Sequence, residues 1–110
     1  MTEIRTLKQR REDELARMRE AIRTVERALA RYAREHGGRY VIYGSVARGE
    51  YRPDSDIDIM VDFPDDARLG AEMFAEDICW QNGLTPDVRG KAFCGDRLME
   101  RIARDGQELQ

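Results

Sequence analysis

Several features that would assign a protein to a membrane or to the cell exterior are missing from this sequence. No apolar run approaches the roughly 20 residues that a membrane-spanning helix requires. The first 18 residues, MTEIRTLKQRREDELARM, are charged throughout and contain no apolar stretch of the signal-peptide type. We therefore expect a cytoplasmic protein that does not act at a membrane.

Cysteine and histidine are also scarce, with two cysteines and one histidine in 110 residues. Cys79 and Cys94 follow no spacing pattern, so in a reducing compartment we expect both to be free thiols. Together with the distant His36 they are too few to form a zinc site. The sequence also lacks the Gly-Lys-Ser/Thr of a P-loop and the Rossmann glycine triplet, two familiar nucleotide-binding motifs.

The composition that is present predicts one small folded domain spanning residues 1–110, with 41% hydrophobic and 37% charged residues. Its charge is uneven. Residues 1–39 contain 11 Lys/Arg and 7 Asp/Glu, whereas residues 40–110 contain 8 and 15. The acidic part suggests a bound cation, and the basic part could meet an acidic partner or nucleic acid. Because its basic residues alternate with acids, a solvated helix face is the favoured interpretation.

A long helix is predicted over residues 5–36, which contain neither proline nor glycine and end at Gly37-Gly38. Apolar residues recur at steps of three and four, at Leu15, Met18, Ile22, Val25, Leu29 and Tyr32. This narrow stripe is more often docked on the protein's own sheet than used in a coiled coil or dimer contact, because three clean heptads are not sustained.

The remaining elements are read from local pattern. We expect strands over residues 39–43, 56–63 and 84–88, a short helix that Ser45 caps and that continues to about residue 51, and helices over 67–81 and 95–104. Pro86 indicates that the third strand lies at an edge or ends early. The apolar residues expected on the helix over 67–81 are Met73, Phe74, Ile78 and Trp80. The order α-β-α-β-α-β-α predicts an α/β (α+β) fold, a small mixed sheet flanked by helices, with a core over residues 39–104.

The chemistry is concentrated in residues 44–61, GSVARGEYRPDSDIDIMV. Alternation in the second strand places Asp56 and Asp58 on one face and its aliphatic residues on the other. Same-face neighbours lie roughly 6.6 Å apart along a strand, so both carboxylates can lean towards one cation. Mg²⁺ would relieve their repulsion, because it takes hard oxygen ligands and leaves room for phosphate oxygens.

Gly44 and Ser45 follow a strand and open a helix, where backbone amides favour an anion such as phosphate. Arg48, one turn further on, can add positive charge. With the two acids, this predicts a site for a metal and a nucleoside triphosphate. Alone, the serine would usually be a helix cap and Asp56 a solvated strand-end acid. An EF-hand loop starting at Asp54 fails, because its sixth and twelfth positions are not glycine and glutamate.

This pattern, in which a Gly-Ser pair is followed after ten residues by Asp-Ile-Asp, resembles the signature of the DNA polymerase β-type nucleotidyltransferase superfamily. The fuller stretch, over residues 41–102, resembles the minimal nucleotidyltransferases, small prokaryotic proteins often encoded beside a HEPN-domain protein. The resemblance implies the palm-like nucleotidyltransferase fold and an antitoxin that transfers AMP from ATP to a tyrosine of a HEPN ribonuclease toxin. It also implies two bound Mg²⁺ ions.

The resemblance also implies roles for single residues. Gly44 and Ser45, with Arg48 and Ser55, would hold the nucleotide. Asp56 and Asp58 would be catalytic metal ligands. In members of the superfamily a third acid follows on a later strand, and Asp87 in LTPDVRG corresponds to it, as general base and metal ligand. The neighbouring proline and arginine depart from the usual apolar pattern, and Asp54 and Asp62 are poorer candidates for this role.

Three functions compete at this point. The intact motif favours an enzyme that acts on a macromolecular acceptor, since the chain is short for a domain that would bind a small acceptor. The stripe around Ile22 and the exposed ends of the first helix would suit an antitoxin that neutralises its toxin by complex formation alone, and either a homo- or a hetero-oligomer is compatible with it. Nucleic-acid binding is disfavoured, because no aromatic stacking platform accompanies the arginines.

Overall fold

A computed structural model describes residues 6–110 and confirms an α/β fold in which helices flank a mixed sheet. The elements, in chain order, are α1 (Leu7–His36), β1 (Arg39–Tyr43), α2 (Gly44–Arg48), β2 (Ile57–Asp62), α3 (Asp65–Gln81), β3 (Pro86–Gly90), a 3-10 turn (Lys91–Phe93), α4 (Asp96–Asp105) and β4 (Gln107–Glu108). The beginning expected for the first helix, residue 5, lies outside the described residues. Within residues 6–110, no helix combines the length and the apolar character needed to cross a bilayer.

The four strands lie in the order β3-β2-β1-β4. β1 pairs antiparallel with β2 and with β4, whereas β2 and β3 run parallel. β3 is therefore a terminal strand, as its proline predicted, but it occupies residues 86–90 rather than 84–88. β4 and the 3-10 turn were not predicted, because a two-residue Gln-Glu strand has no alternation of its own.

α1 begins with a capping box, in which Thr6 and Gln9 exchange side chain–backbone hydrogen bonds, and ends at Gly37 in the left-handed conformation with φ of 71°. Four residues of the predicted apolar stripe are buried in the main core, namely Met18, Ile22, Val25 and Leu29. They share this core with the aliphatic face of β2. The stripe is thus docked on the protein's own sheet.

The two faces of β2 are covered differently. Ile57, Ile59 and Val61 point into the core formed with α1 and α3, and Met60 points to the opposite face. There it packs with residues of β1 and with Ile102 of α4. Because α4 is only ten residues long, it covers part of this face, and Asp58 is only partly buried beside it.

The apolar face predicted for α3 needs correction. Met73 and Trp80, assigned to it from their hydrophobicity, are 55% and 60% exposed. Its fully buried residues are instead small, Ala71, Ala75 and Cys79. Small side chains let the helix lie close to the sheet, so the largest apolar residues do not mark its inner face. α3 also begins two residues earlier than expected, at Asp65.

Replacing Leu29 by alanine should lower the free energy of unfolding by about 2–5 kcal/mol, because this fully buried side chain would leave a cavity. Leu69→Ala is the matched control, since Leu69 is 64% exposed, and it should change stability by less than about 0.5 kcal/mol. Urea denaturation followed by circular dichroism measures both values. Equal losses in the two variants would contradict the placement of α1 over the sheet.

Candidate active site

Three carboxylates meet at one end of the sheet. Asp58 is the second residue of β2, and in the parallel register its neighbour is Asp87, the second residue of β3. Neighbouring residues in register project to the same face of a sheet, so the two side chains lie side by side. Asp56 stands immediately before β2 and is exposed. The structure therefore brings the three predicted acids together, including Asp87, despite its departure from the expected strand pattern.

The electrostatics of Asp58 reflect this crowding. The pKa of its carboxyl is raised from 3.8 to about 6, mainly by burial and in addition by the charge of Asp87, a hydrogen bond with Asp87 and the charge of Asp56. Arg89 opposes the rise, with its Nε 3.6 Å from Oδ1 of Asp87. Without a further cation, the site thus carries more negative charge than its surroundings accommodate.

The bend at Gly44 touches the same carboxylate. Gly44 has a φ of 75°, which side chain-bearing residues rarely adopt. A Cβ atom added here would also collide with Oδ2 of Asp58. Glycine is therefore required twice, for its backbone conformation and for the close approach of the acid. The predicted phosphate-binding bend and the predicted metal-binding acid are in direct contact.

The prediction that Ser45 caps the short helix is wrong. α2 begins at Gly44, its N-cap position is Tyr43, and the Tyr43 side chain makes no capping hydrogen bond. The reason is that the chain turns directly from β1 into the helix, which places the half-buried Ser45 inside the first turn. α2 ends at Arg48, short of residue 51, and five residues provide only a small dipole, so any anion here would be held mainly by individual amides and the hydroxyl.

The other two predicted nucleotide ligands have partners of their own. Arg48 pairs with Glu50, with Nε 3.1 Å from Oε2, and with Asp105 at 3.7 Å. The hydroxyl of Ser55 accepts a hydrogen bond from the amide of Arg52 at 2.8 Å and closes the turn before β2. Their roles in nucleotide binding stay predictions.

Of the two poorer acid candidates, Asp62 lies away from this cluster. Asp62 is at the far end of β2, where a hydrogen bond from Arg39 holds the pKa of its carboxyl below the usual value. Lys91 also pairs with Asp62, at 3.5 Å. Asp54 is an exposed turn residue. Neither contacts Gly44 in the way that Asp58 does.

Tyr43 and Arg89 belong to the site but were not predicted. Tyr43 is the antiparallel partner of Asp58 and is 5% exposed. Burial raises the pKa of its hydroxyl to about 12, and the charges of Asp58 and Asp87 contribute. Arg89 follows Asp87 by two residues, so it lies on the same face of β3. The alternation of β3 could have indicated Arg89, whereas Tyr43 requires the β1–β2 register.

The donor set suits a hard divalent cation. No three His, Cys, Asp or Glu side chains in the described part of the chain already form a metal-binding group. Mg²⁺ typically needs only one or two protein carboxylates, with substrate phosphates and water completing its shell. Asp58 and its acidic neighbours supply such oxygens. The raised pKa of Asp58 reflects burial and repulsion from these neighbouring carboxylates, which a bound cation would relieve. The residues present therefore fit Mg²⁺.

The sequence pattern of the nucleotidyltransferase domain family matches residues 22–107. This range includes the Gly44 bend and all three acids. The chain belongs to the nucleotidyltransferase domain family. Among curated proteins, none is similar enough in sequence to be a significant match.

Solved structures agree with this fold. A protein assigned as a minimal nucleotidyltransferase is 28% identical, with a TM-score of 0.60, over 80% of this chain and 92% of that one. A toxin–antitoxin crystallised with AMP-PNP is 18% identical, with a TM-score of 0.58. A mutant of the toxin–antitoxin MntA–HpeT is 16% identical, with a TM-score of 0.57. Each of the last two matches covers 77% of this chain and 72% of the other.

Gly44→Ala should disrupt the site more than Gly49→Ala. Both glycines have a positive φ, of 75° and 73°, so both variants carry backbone strain of about 1–2 kcal/mol. Only at Gly44 would the new methyl group displace Asp58, because nothing lies within 4 Å of a Cβ at Gly49. Calorimetric titration with Mg²⁺ and AMP-PNP should show at least tenfold weaker binding for Gly44→Ala and little change for Gly49→Ala. Equal affinities would contradict the contact.

Asp58→Asn should stabilise the metal-free protein at pH 7.5. The raised pKa means that the folded state holds a proton more tightly than the unfolded state, so Asp58 costs stability as the pH rises from about 4 to about 6. Partial exposure limits the expected gain to about 1–2 kcal/mol. The gain should vanish near pH 3.5, where both states are protonated.

Urea denaturation in EDTA at several pH values measures this effect, with Asp54→Asn in the exposed turn as the control. A loss of stability in Asp58→Asn at pH 7.5 would show that Asp58 is stabilised by its surroundings rather than crowded.

Proposed function

We propose that this nucleotidyltransferase is a metal-dependent antitoxin that transfers AMP from ATP to a tyrosine of a HEPN ribonuclease toxin. The observation that carries the proposal is the placement of one carboxylate, Asp58, against the Gly44 bend and beside Asp87. Phosphate binding and metal binding then occur at touching groups. The toxin–antitoxin neighbours, one of them crystallised with AMP-PNP, support the nucleotide and the partner class.

In this proposal the triphosphate lies over Gly44 and Ser45, where backbone amides and the serine hydroxyl donate hydrogen bonds to its oxygens. Asp56 and Asp58, with Asp87, would hold two Mg²⁺ ions. When bound, Mg²⁺ would neutralise the crowded carboxylates and polarise the α-phosphate. Arg89, which balances Asp87 in the metal-free protein, would then be free to turn towards solvent, since its side chain is 50% exposed.

The transfer is an in-line displacement at the α-phosphorus. The acceptor oxygen forms a bond to this phosphorus as the bond to the bridging oxygen breaks, and pyrophosphate leaves. Asp87 takes the proton of the attacking hydroxyl. Little covalent chemistry is asked of the protein, which binds and orients the two reactants. The adenylylated tyrosine and pyrophosphate are the products.

Inhibition by complex formation alone is the second candidate. The beginning of α1 favours it, because residues 6–12 are all exposed and Leu7 is 71% exposed. This end of a 30-residue helix offers a surface for a partner without involving the acids. The two candidate functions therefore depend on separate regions, the acid cluster for AMP transfer and the beginning of α1 for complex formation. Variants in one region can thus distinguish one function from the other.

The decisive experiment combines ATP labelled at the α-phosphate, Mg²⁺ and the protein encoded by the neighbouring gene, which the proposal expects to be a HEPN ribonuclease. Asp56→Asn/Asp58→Asn should reduce label transfer at least 100-fold, because the metal ligands are removed, and should leave the ribonuclease active. Asp54→Asn, which changes an exposed turn acid, should transfer label normally. Full inhibition of the toxin by the double variant, with no label transferred by the wild type, would establish the non-catalytic alternative instead.

A further inference from the structure

A groove opens along the outer side of β3, next to the proposed catalytic acids. Its lining comprises Arg68 and Glu72 of α3, the β3 residues Asp87, Val88, Arg89 and Gly90, and Phe93. Its volume is about 330 Å³. We propose that this groove binds the acceptor, an aromatic hydroxyl presented on an extended segment of the partner protein. The proposal rests on the proposed function and identifies where its second substrate docks.

The backbone at this edge is open to a partner segment. β3 is the terminal strand, paired only with β2 among the described residues. The amide of Ile57 donates to the carbonyl of Thr85, which sets the alternation of the parallel ladder. By that alternation the amide and carbonyl of Val88 point away from β2. An extended peptide can hydrogen-bond to such an edge while its side chains enter adjacent pockets.

The walls of the groove favour an aromatic side chain. Phe93 is 69% exposed, and the guanidinium carbon of Arg68 lies 5.6 Å from the centre of its ring. Arg68 is fixed in turn by Glu72, with Nη1 3.1 Å from Oε1. A second aromatic ring can stack on this pair, gaining both ring–ring and cation–π contacts.

Gly90 is what allows these walls to come together. A Cβ atom here would lie 2.9 Å from Oε1 of Glu72 and 3.4 Å from the ring of Phe93. Without a side chain at this position, the groups of α3 and the 3-10 turn converge directly over the strand. The groove is therefore shaped by the same short strand that positions the third acid.

The position of Asp87 connects the groove to the chemistry. Asp87 lines the groove and is also the register partner of Asp58. The Asp87 side chain projects to the face of Asp58, whereas Val88 packs on the α3 side, so an acceptor in the groove has to extend past the edge of β3 to bring its hydroxyl to the proposed general base. A volume of about 330 Å³ is at the small end of ligand sites, which suits one side chain rather than a second nucleotide. The groove thus takes the acceptor, and the Gly44 bend takes ATP.

The kinetic test uses Phe93→Ala, with Trp80→Ala as a control at another exposed aromatic residue, 60% exposed on α3. With labelled ATP and a HEPN protein as the acceptor, Phe93→Ala should raise the KM for the acceptor at least tenfold. Affinity for ATP should change less than twofold, and Phe93→Tyr should restore the KM. An unchanged KM in Phe93→Ala, or an equal rise in Trp80→Ala, overturns the proposal.

A binding test separates this proposal from the proposed function. An unstructured peptide with one central tyrosine is titrated into the protein in Mg²⁺ and AMP-PNP, and amide NMR signals are followed. Saturable shifts at Val88 and Gly90, weaker for the peptide with serine in place of tyrosine, support the groove even if no transfer is ever detected. Transfer to the HEPN protein without such shifts overturns the groove and leaves the proposed function standing.

Discussion

The contact between the Asp58 carboxylate and the backbone of Gly44 is the constraint on which the site depends. It places an acid, partly buried and beside Asp87, at the point where the chain turns from β1 into α2. Burial and like charges raise the pKa of that acid, so the arrangement is unfavourable in isolation. Such crowding is typical of sites that await a charged ligand, because the ligand supplies the missing counter-charge.

This arrangement arises because the two faces of β2 are covered to different extents. The aliphatic side chains of β2 anchor the strand in a core covered by α1 and α3. On the opposite face α4 packs over Met60 and its β1 neighbours Val41 and Tyr43, and Asp58 stays partly exposed. The parallel neighbour β3 adds Asp87 in register, and its free edge leads into the groove beside Phe93. The Gly44 bend, the acids Asp58 and Asp87 and the groove beside β3 thus lie next to one another on neighbouring strands of the sheet.

Much of this could be predicted from the sequence, because local periodicity dictates it. The stripe of α1, the alternation around Asp56 and Asp58 and the Gly-Ser bend are all properties of neighbouring residues. What depends on tertiary pairing could not be predicted. The pairing of Asp58 with Tyr43 follows from strand register, and Asp87 was assigned to the site only through the family resemblance, because its own strand pattern did not indicate it. The exposure of Met73 and Trp80 follows from how closely α3 approaches the sheet. The capping role given to Ser45 failed because the strand enters the helix without an intervening residue.

The most direct test of the account is a crystal grown with Mn²⁺ and AMP-PNP and measured at the manganese absorption edge. Mn²⁺ replaces Mg²⁺ at carboxylate and phosphate oxygens, and its anomalous signal identifies its position. We expect anomalous density within about 2.2 Å of carboxylate oxygens of Asp56 and Asp58, bridging to the phosphates above Gly44. Nucleotide bound elsewhere, or manganese absent from these two acids in a nucleotide-loaded crystal, would contradict it.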